Sequence, residues 1–446
     1  MGVRPDGTAG FSGQMSTVSG AKTVPSGKAR SASADSSKWV KVFCSCAFLF
    51  FLGVLTHVFG SSDGAGTGPL NVLFLPIALF FQLTAMVLLA SPKRIHKSIQ
   101  LLSRNGALIV ALVVIFASTV WSIDSELTLR RAVALLGTTA VGLLIYIEVG
   151  RSDVLRFFAV NLALFVVGSI LLAIGIPALG THISGKHAGD WRGLLSFKNQ
   201  AAWATVLFLL VCLGARMQGR MKRWKYPLLA GGLLMLLSTR SATGIAALGF
   251  GIAVLMIMNL YSGSRMLRPL IVTATSVTIL MVAMNYQSLF AWTLAALGRD
   301  ESLTGRTSVW TALWPLIESN LWLGNGYLAF WDHAAEYLGN SSWMVGIGHA
   351  HNAYVEILLD VGLIGLLTQV SFLLIMAARL FFGATRGDRD AATMFAILLT
   401  LAVIGIAGAL FFRPNSGIWI MIVAFACYAS EDRVSAKDSV IPPESR

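Results

Sequence analysis

The sequence predicts an all-α integral membrane protein of about twelve transmembrane helices with one large loop on a single side, and three observations carry that expectation. Of 446 residues, 56% are hydrophobic and only 12% charged, against about a quarter charged in soluble chains. Apolar runs such as "VKVFCSCAFLFFLGVLTHVFG" from Val40 and "FFAVNLALFVVGSILLAIGIP" from Phe157 reach the roughly 20 residues that cross a bilayer. They are continuous rather than alternating, which points to helices and not to the strands of a barrel.

Taken in order, the runs lie near 40–60, 69–91, 106–121, 131–149, 155–177, 199–216, 226–240, 243–262, 269–290, 352–379, 391–411 and 415–430. Residues 1–37 are rich in Ser, Gly, Ala and Thr without an apolar run and read as a disordered tail. They do not read as a signal peptide, and Asp6 stands where a myristoylation signal wants Ser or Thr. The net charge of +13 sits mostly in alternate connections: the tail, "SPKRIHKS" at 91–98, "GRSDVLR" at 150–156, "RMQGRMKRWK" at 216–225, "SGSRMLR" at 262–268 and "RLFFGATRGDR" at 379–389. Such alternation reports orientation, not a nucleic-acid groove, and places both termini in the cytoplasm. The expected division is a tail at 1–37, nine spans over 38–290, a large outer loop at 291–351, three spans over 352–430 and a second cytoplasmic tail at 431–446. Cys44, Cys46, Cys212 and Cys427 all fall in apolar runs and read as buried small hydrophobes.

The outer loop of about 60 residues is far longer than most connections. Its tryptophans, Trp310, Trp314, Trp322, Trp331 and Trp343, argue for a folded cap. His349 and His351 close it, at the start of the tenth run. There an imidazole is biased towards its neutral form, as a base or hydrogen-bond partner. A helix-capping histidine is the plain alternative, and a metal site with His333 and Asp332 a third reading. Glu356 and Asp360, four apart on one helical face, either orient the imidazole or line a polar cavity. Arg240, between two apolar runs, is costly unless paired or facing water. Arg306, Arg192 and Lys198 join it on the same predicted side, where guanidinium groups suit phosphate oxygens. Taken alone, Arg192 reads as an interfacial anchor more readily than as a ligand. "DRD" at 388–390 reads as a solvated turn, and Asp63 is a lone acid in a Gly/Ser loop. No Walker or dinucleotide-binding sequence appears, so ATP-driven work within this chain has no support.

"LTGRTSVWTALWPLIESNLWLGNGYLAFW" at 303–331, "HAHNAYVEILLDVGLIGLL" at 349–367, "FKNQAA" at 197–202 and "STRSATG" at 238–244 together resemble the O-antigen ligase and Wzy-type polysaccharide polymerase family. "LGRDESLTGRTSVW" at 297–310 is most similar to its exopolysaccharide polymerases of the succinoglycan type. The resemblance implies a GT-C-like glycosyltransferase of the bacterial inner membrane. Its expected substrate is an undecaprenyl-pyrophosphate-linked oligosaccharide on the periplasmic side, its reaction an inverting, metal-independent transfer without a cofactor. It implies Arg240 and Arg306 at the pyrophosphate, His351 as the functional histidine, and Lys198 and Asn199 in substrate positioning. Arg192, His349, Asn352 and Glu356 complete the expected substrate contacts. The bilayer, and chain-length and export proteins, are the implied partners. A ligase delivering the glycan to lipid A core or protein is the nearest alternative. A lipid-linked glycan transporter and a structural subunit of a secretion complex are rivals of other classes.

Overall fold

A computed structural model describes residues 27–54, 71–215, 220–264, 266–284, 306–338 and 348–431. The chain divides into two compact units, 1–40 and 41–446, and the fold that follows is that of the second. Its principal helices, with the one that enters it, are α1 (Gly27–Phe51), α2 (Phe74–Leu89), α3 (Pro92–Ser103), α4 (Gly106–Ala117), α5 (Ser125–Val149), α6 (Val154–Gly175) and α7 (Lys198–Gly214). There follow α8 (Arg220–Ser238), α9 (Ala242–Gly263), α10 (Arg268–Met284), α11 (Arg306–Ser319), α12 (Ala353–Thr385), α13 (Arg389–Gly405) and α14 (Gly417–Ser430). Among the described residues the only extended pairing is a single bridge between Thr181 and Trp191.

Over its described residues each apolar run of the sequence coincides with a helix, and α3 and α11 are additional. Four helices, α5, α6, α9 and α12, are long and apolar enough to cross a membrane; α2 with α3, bent by 98°, makes a fifth if the pair is one broken span. The α7 and α14 helices and the segment Gly106–Val120 are apolar but shorter. The protein is therefore an all-α membrane protein with four or five full-length candidate spans among the described residues, fewer than the twelve expected. The remaining apolar runs form helices that fall short by length or composition.

Three local expectations are corrected. The connection at 91–98 opens α3, because Pro92 lies in the first turn, where its missing N–H costs nothing, and Ser98 and Leu101 turn inward. Cys46 is exposed, whereas Cys44, Cys212 and Cys427 are buried. Asp388 is not solvated: it is 4% exposed, caps α13 through the amides of Asp390 and Ala391, and pairs with Arg151 at 3.1 Å.

The connections gather at two ends. At one, Arg94 of α3 meets Glu148 of α5, Arg151 reaches the carbonyls of Tyr428 and Glu431, and Ser262 bonds the Ala384 carbonyl. At the other, Trp121 and Ile123 bond the backbone at Leu323 and Asn325, while the Trp191 amide bonds Ser238. Trp203 of α7 lies against Gly408 beyond α13.

At that second end α12 is broken. Gly362 has φ +64° and ψ −164°, outside helical values, and residues 321–326 cross the gap. The Leu363 and Ile364 amides donate to Leu321 and Trp322, while the Leu359 and Asp360 carbonyls accept from the amides of Asn325 and Gly326. The backbone groups freed by the break are thus paired again, as burial requires. A methyl group at Gly324, which has φ +67°, would fall 2.6 Å from the Asp360 carbonyl carbon. One at Gly362 would meet the Trp322 backbone. Gly362→Ala and Gly324→Ala are each expected to cost on the order of 1–3 kcal/mol or more through left-handed strain and collision. Gly249→Ala, where nothing lies within 4 Å, is the control. Thermal unfolding in detergent checks this; equal midpoints for all three variants would contradict a constrained break.

Candidate active site

Above the break stands the segment His349–Ala350–His351. Ala350 is fully buried and held from both sides: its amide donates to Glu356 Oε2 at 2.7 Å and its carbonyl accepts from Trp310 Nε1 at 2.8 Å. The two imidazoles flanking it are half-buried, with ring centroids 4.0 Å apart. The His351 amide donates to His349 Nδ1 at 3.1 Å, which leaves the neutral His349 ring its proton on Nε2. His351 itself has φ +52°. Asn352 then caps α12 through the Tyr354 and Val355 amides.

Glu356, 3% exposed, organises this segment. Besides Ala350 it accepts from Trp331 Nε1 at 3.0 Å and pairs with Arg413 at 2.6 Å. Every oxygen of this carboxylate is thereby engaged by protein. Next to it is a cavity of about 10 Å³ whose walls include Tyr327, Glu356, Asp360, Gln369 and Arg413. Asp360 Oδ1 and Gln369 Oε1 are buried there without hydrogen-bond partners among the described residues. The α11 helix covers the segment with a single face: Val309, Leu313 and Ile317 pack with Phe330, Ala350 and Leu359. Arg306 opens that helix, but its side chain lies outside the described residues. So do residues 285–305 and Trp343.

A second cluster forms where the α6–α7 connection meets the turn between α8 and α9. Asp190, 4% exposed, pairs with Lys198 at 2.6 Å, His187 at 3.4 Å and Arg240 at 3.6 Å. Arg240 occupies the left-handed turn at φ +48°. Ser241 caps α9 and donates to Asn199 Oδ1 at 2.9 Å, so the turn is fastened to the first turn of α7. His182 accepts the Lys198 amide at 3.3 Å. Burial and the Arg192 charge hold its imidazole below the usual range, which favours the neutral acceptor. Arg192 is anchored to the Leu179 carbonyl at 3.1 Å. The α7 helix begins with no side-chain cap at Phe197, leaving the positive end of its dipole beside these cations.

The structure therefore assembles the sequence-derived candidates into two groups: Lys198, Asn199, Arg192 and Arg240 in one, His349, His351, Asn352 and Glu356 in the other. Both stand at the end where the backbone crosses the α12 break, the end at which Trp203 of α7 lies against Gly408. Asp190, Arg413 and Trp331 were missed as site residues. Asp190 follows "KHAG" in a polar loop, and Arg413 lies in "RPNSG", so neither stands in a periodic pattern. A buried tryptophan N–H needing an acceptor was the one available signal for Trp331. Among the described residues no group of three or more His, Cys, Asp or Glu is placed to hold a metal. His333 instead faces Asp124 at 3.2 Å and Glu336 at 3.4 Å, and Asp332 pairs with Arg131 at 2.7 Å.

Residues 227–370 match a family described as O-antigen ligase. The family resemblance holds. The O-antigen ligase match spans Arg240, Arg306, His349, His351 and Glu356, and leaves Lys198, Asp190 and Arg413 outside it. The chain is also similar to the exopolysaccharide production protein ExoQ of Rhizobium meliloti (strain 1021), at 27% identity over 299 residues. That match takes in 61% of this chain and 65% of the relative, so just under two thirds of ExoQ is spanned. These likenesses and the apolar helices make the chain a multi-pass membrane protein similar to O-antigen ligases and to an exopolysaccharide production protein.

Two outcomes follow from this geometry. Removing one member of a buried ion pair typically costs about 3–5 kcal/mol, so Glu356→Ala is expected to destabilise the fold and free the Ala350 backbone. Hydrogen exchange reads this as faster exchange at Ala350, with Glu318→Ala at the exposed rim as a control. The second outcome concerns pH. Hydrogen bonds to Asp124 and then Glu336 raise the His333 pKa above its usual value. The stabilisation from protonated His333 is therefore complete below about 6.5 and is lost as pH rises through the raised value. Protection from exchange across 328–336, corrected for the intrinsic pH dependence of amide exchange, should fall over that window in wild type and stay flat with pH in His333→Gln.

Proposed function

We propose that the chain is a membrane polysaccharide polymerase that joins oligosaccharide repeats carried on undecaprenyl pyrophosphate, working at the periplasmic face of the bacterial inner membrane. In this orientation the end bearing the two clusters faces the periplasm and both termini face the cytoplasm. The observation that carries the reading is the occurrence at one end of the molecule of a cation cluster suited to phosphate and a rigidly held pair of imidazoles. The span count expected from the sequence would by itself favour a transporter. Candidate groups gathered at one end of the molecule favour surface chemistry on a lipid headgroup.

The arrangement suits an inverting displacement. The acceptor hydroxyl oxygen attacks the anomeric carbon of the lipid-linked sugar, and the bond from that carbon to the phosphate oxygen breaks. The electron pair leaves with the lipid pyrophosphate. Arg240 and Arg306, with the α7 terminus, stabilise the charge that develops there, most effectively when they are already in place. His351 takes the acceptor proton, with His349 bonded to its amide and Ala350 clamped between them. General-base help of this kind is worth about 10²–10⁴ in rate. Asn199 and Arg192 position the headgroup, and Asn352 and Glu356 hold the helix end that presents the histidines.

Purified protein in liposomes with a lipid-pyrophosphate oligosaccharide is expected to yield a ladder of longer glycans. His351→Asn, which tolerates the left-handed backbone, should lower kcat by about 10²–10⁴ with the unfolding midpoint retained. Arg240→Gln should abolish the ladder. Transfer only to an added lipid A core acceptor would identify a ligase. Unchanged substrate with every acceptor, from folded protein, would overturn glycosyl transfer.

A further inference from the structure

Asp190 presents a puzzle for a phosphate site: a buried carboxylate stands among the cations that are to receive an anion. Its backbone is fixed, since its carbonyl accepts from the His182 amide, its amide bonds His187, and the adjoining Trp191 amide bonds Ser238. Its two oxygens, however, serve very different partners. Oδ2 meets Lys198 at 2.6 Å, and that side chain is only 9% exposed. Oδ1 meets Arg240 at 3.6 Å, and the arginine side chain is 73% exposed. The first contact neutralises a buried ammonium and is needed at all times. The second is a long, solvated pair of the kind that contributes little to stability.

The Arg240 backbone does not have to move for that pair to open. Its amide bonds the Leu237 carbonyl, Thr239 Oγ1 accepts the Ser241 amide, and Ser241 Oγ is fastened to Asn199. The guanidinium is then an arm on a fixed pivot, with a weak resting place.

We infer that Asp190 is an exchangeable counter-ion for Arg240. In the resting protein Oδ1 holds the guanidinium near the site. An entering diphosphate, with more acceptor oxygens and the geometry for forked bonds, takes Arg240 from Asp190, while Lys198 stays on Oδ2. When the glycan has been transferred and the lipid diphosphate departs, Asp190 recovers the arginine. Asp190 is thus a positioning residue that competes with the leaving group and sets how long the lipid diphosphate product is held. This deepens the proposed function and rests on its assignment of a diphosphate to this end of the molecule.

The test measures binding of farnesyl diphosphate to purified protein in nanodiscs by calorimetry, beside KM and kcat for polymerisation. Asp190→Asn removes the competing charge and is expected to tighten farnesyl diphosphate binding about 3- to 10-fold while lowering kcat, because product is held longer. Arg240→Gln should weaken binding at least 10-fold, and Asp190→Glu, which keeps the charge, should return binding and kcat towards wild type. A merely structural Asp190 would give weaker or equal binding in Asp190→Asn, and that result overturns the inference. If Asp190→Asn does not fold because Lys198 is left without its partner, Asp190→Asn with Lys198→Met is compared with Lys198→Met alone. Tighter binding in the double variant then supports the exchange, and no difference overturns it. Absence of diphosphate binding by the wild type would instead count against the proposed function itself.

Discussion

The break in α12 at Gly362 is the feature on which the rest of the candidate site depends. A continuous helix would satisfy its own backbone and leave nothing for residues 321–326 to bond. Because the helix is interrupted, its orphaned carbonyls and amides are paired by that crossing segment instead. The crossing segment in turn brings Tyr327 to the Phe412 carbonyl and Trp331 to Glu356. The first turns of α12 are thereby held apart from the long remainder of the helix, with His349 and His351 at their head. Two glycines with positive φ, Gly324 and Gly362, let the two backbones approach this closely.

Two buried carboxylates then divide the organising work. Glu356 gathers an indole, a guanidinium and a backbone amide, and so immobilises the alanine between the histidines. Asp190 gathers an ammonium, a guanidinium and an imidazole at the neighbouring connection. In both places the carboxylate is costly to bury alone and tolerable only because several donors converge on it. The difference lies in exposure. The Arg413 partner of Glu356 is 19% exposed, whereas Arg240 is 73% exposed and reaches into solvent, which suits the first group to rigidity and the second to exchange with a mobile anion.

How far the molecule was legible in advance varies with the physics of each part. The helices at the apolar runs were readable because lipid imposes length and continuity on a single segment. The amphipathic start of α3 was not, since its charges mimic a connection and its two inward residues matter only against a neighbour. Asp388 was misread for a similar reason: a charged turn looks solvated until Arg151 and Tyr428 close over it. His349, His351 and Arg240 could be singled out because ionisable groups beside apolar runs are expensive. Asp190 and Arg413 stood in polar loops where a charge costs nothing in sequence terms.

The sequence by itself determined that this chain is a bundle of apolar helices, which connections carry its positive charge, and which family motifs it resembles. These are properties of composition and local spacing. Only the tertiary structure decided that α12 is broken and refastened by a distant segment, that Glu356 serves the Ala350 backbone, and that Lys198 and Arg240 share one carboxylate. Some of those contacts join distant parts of the chain, as Arg240 and Asp190 do, and others span only six or eight positions, but all depend on which buried polar groups meet once the helices have packed.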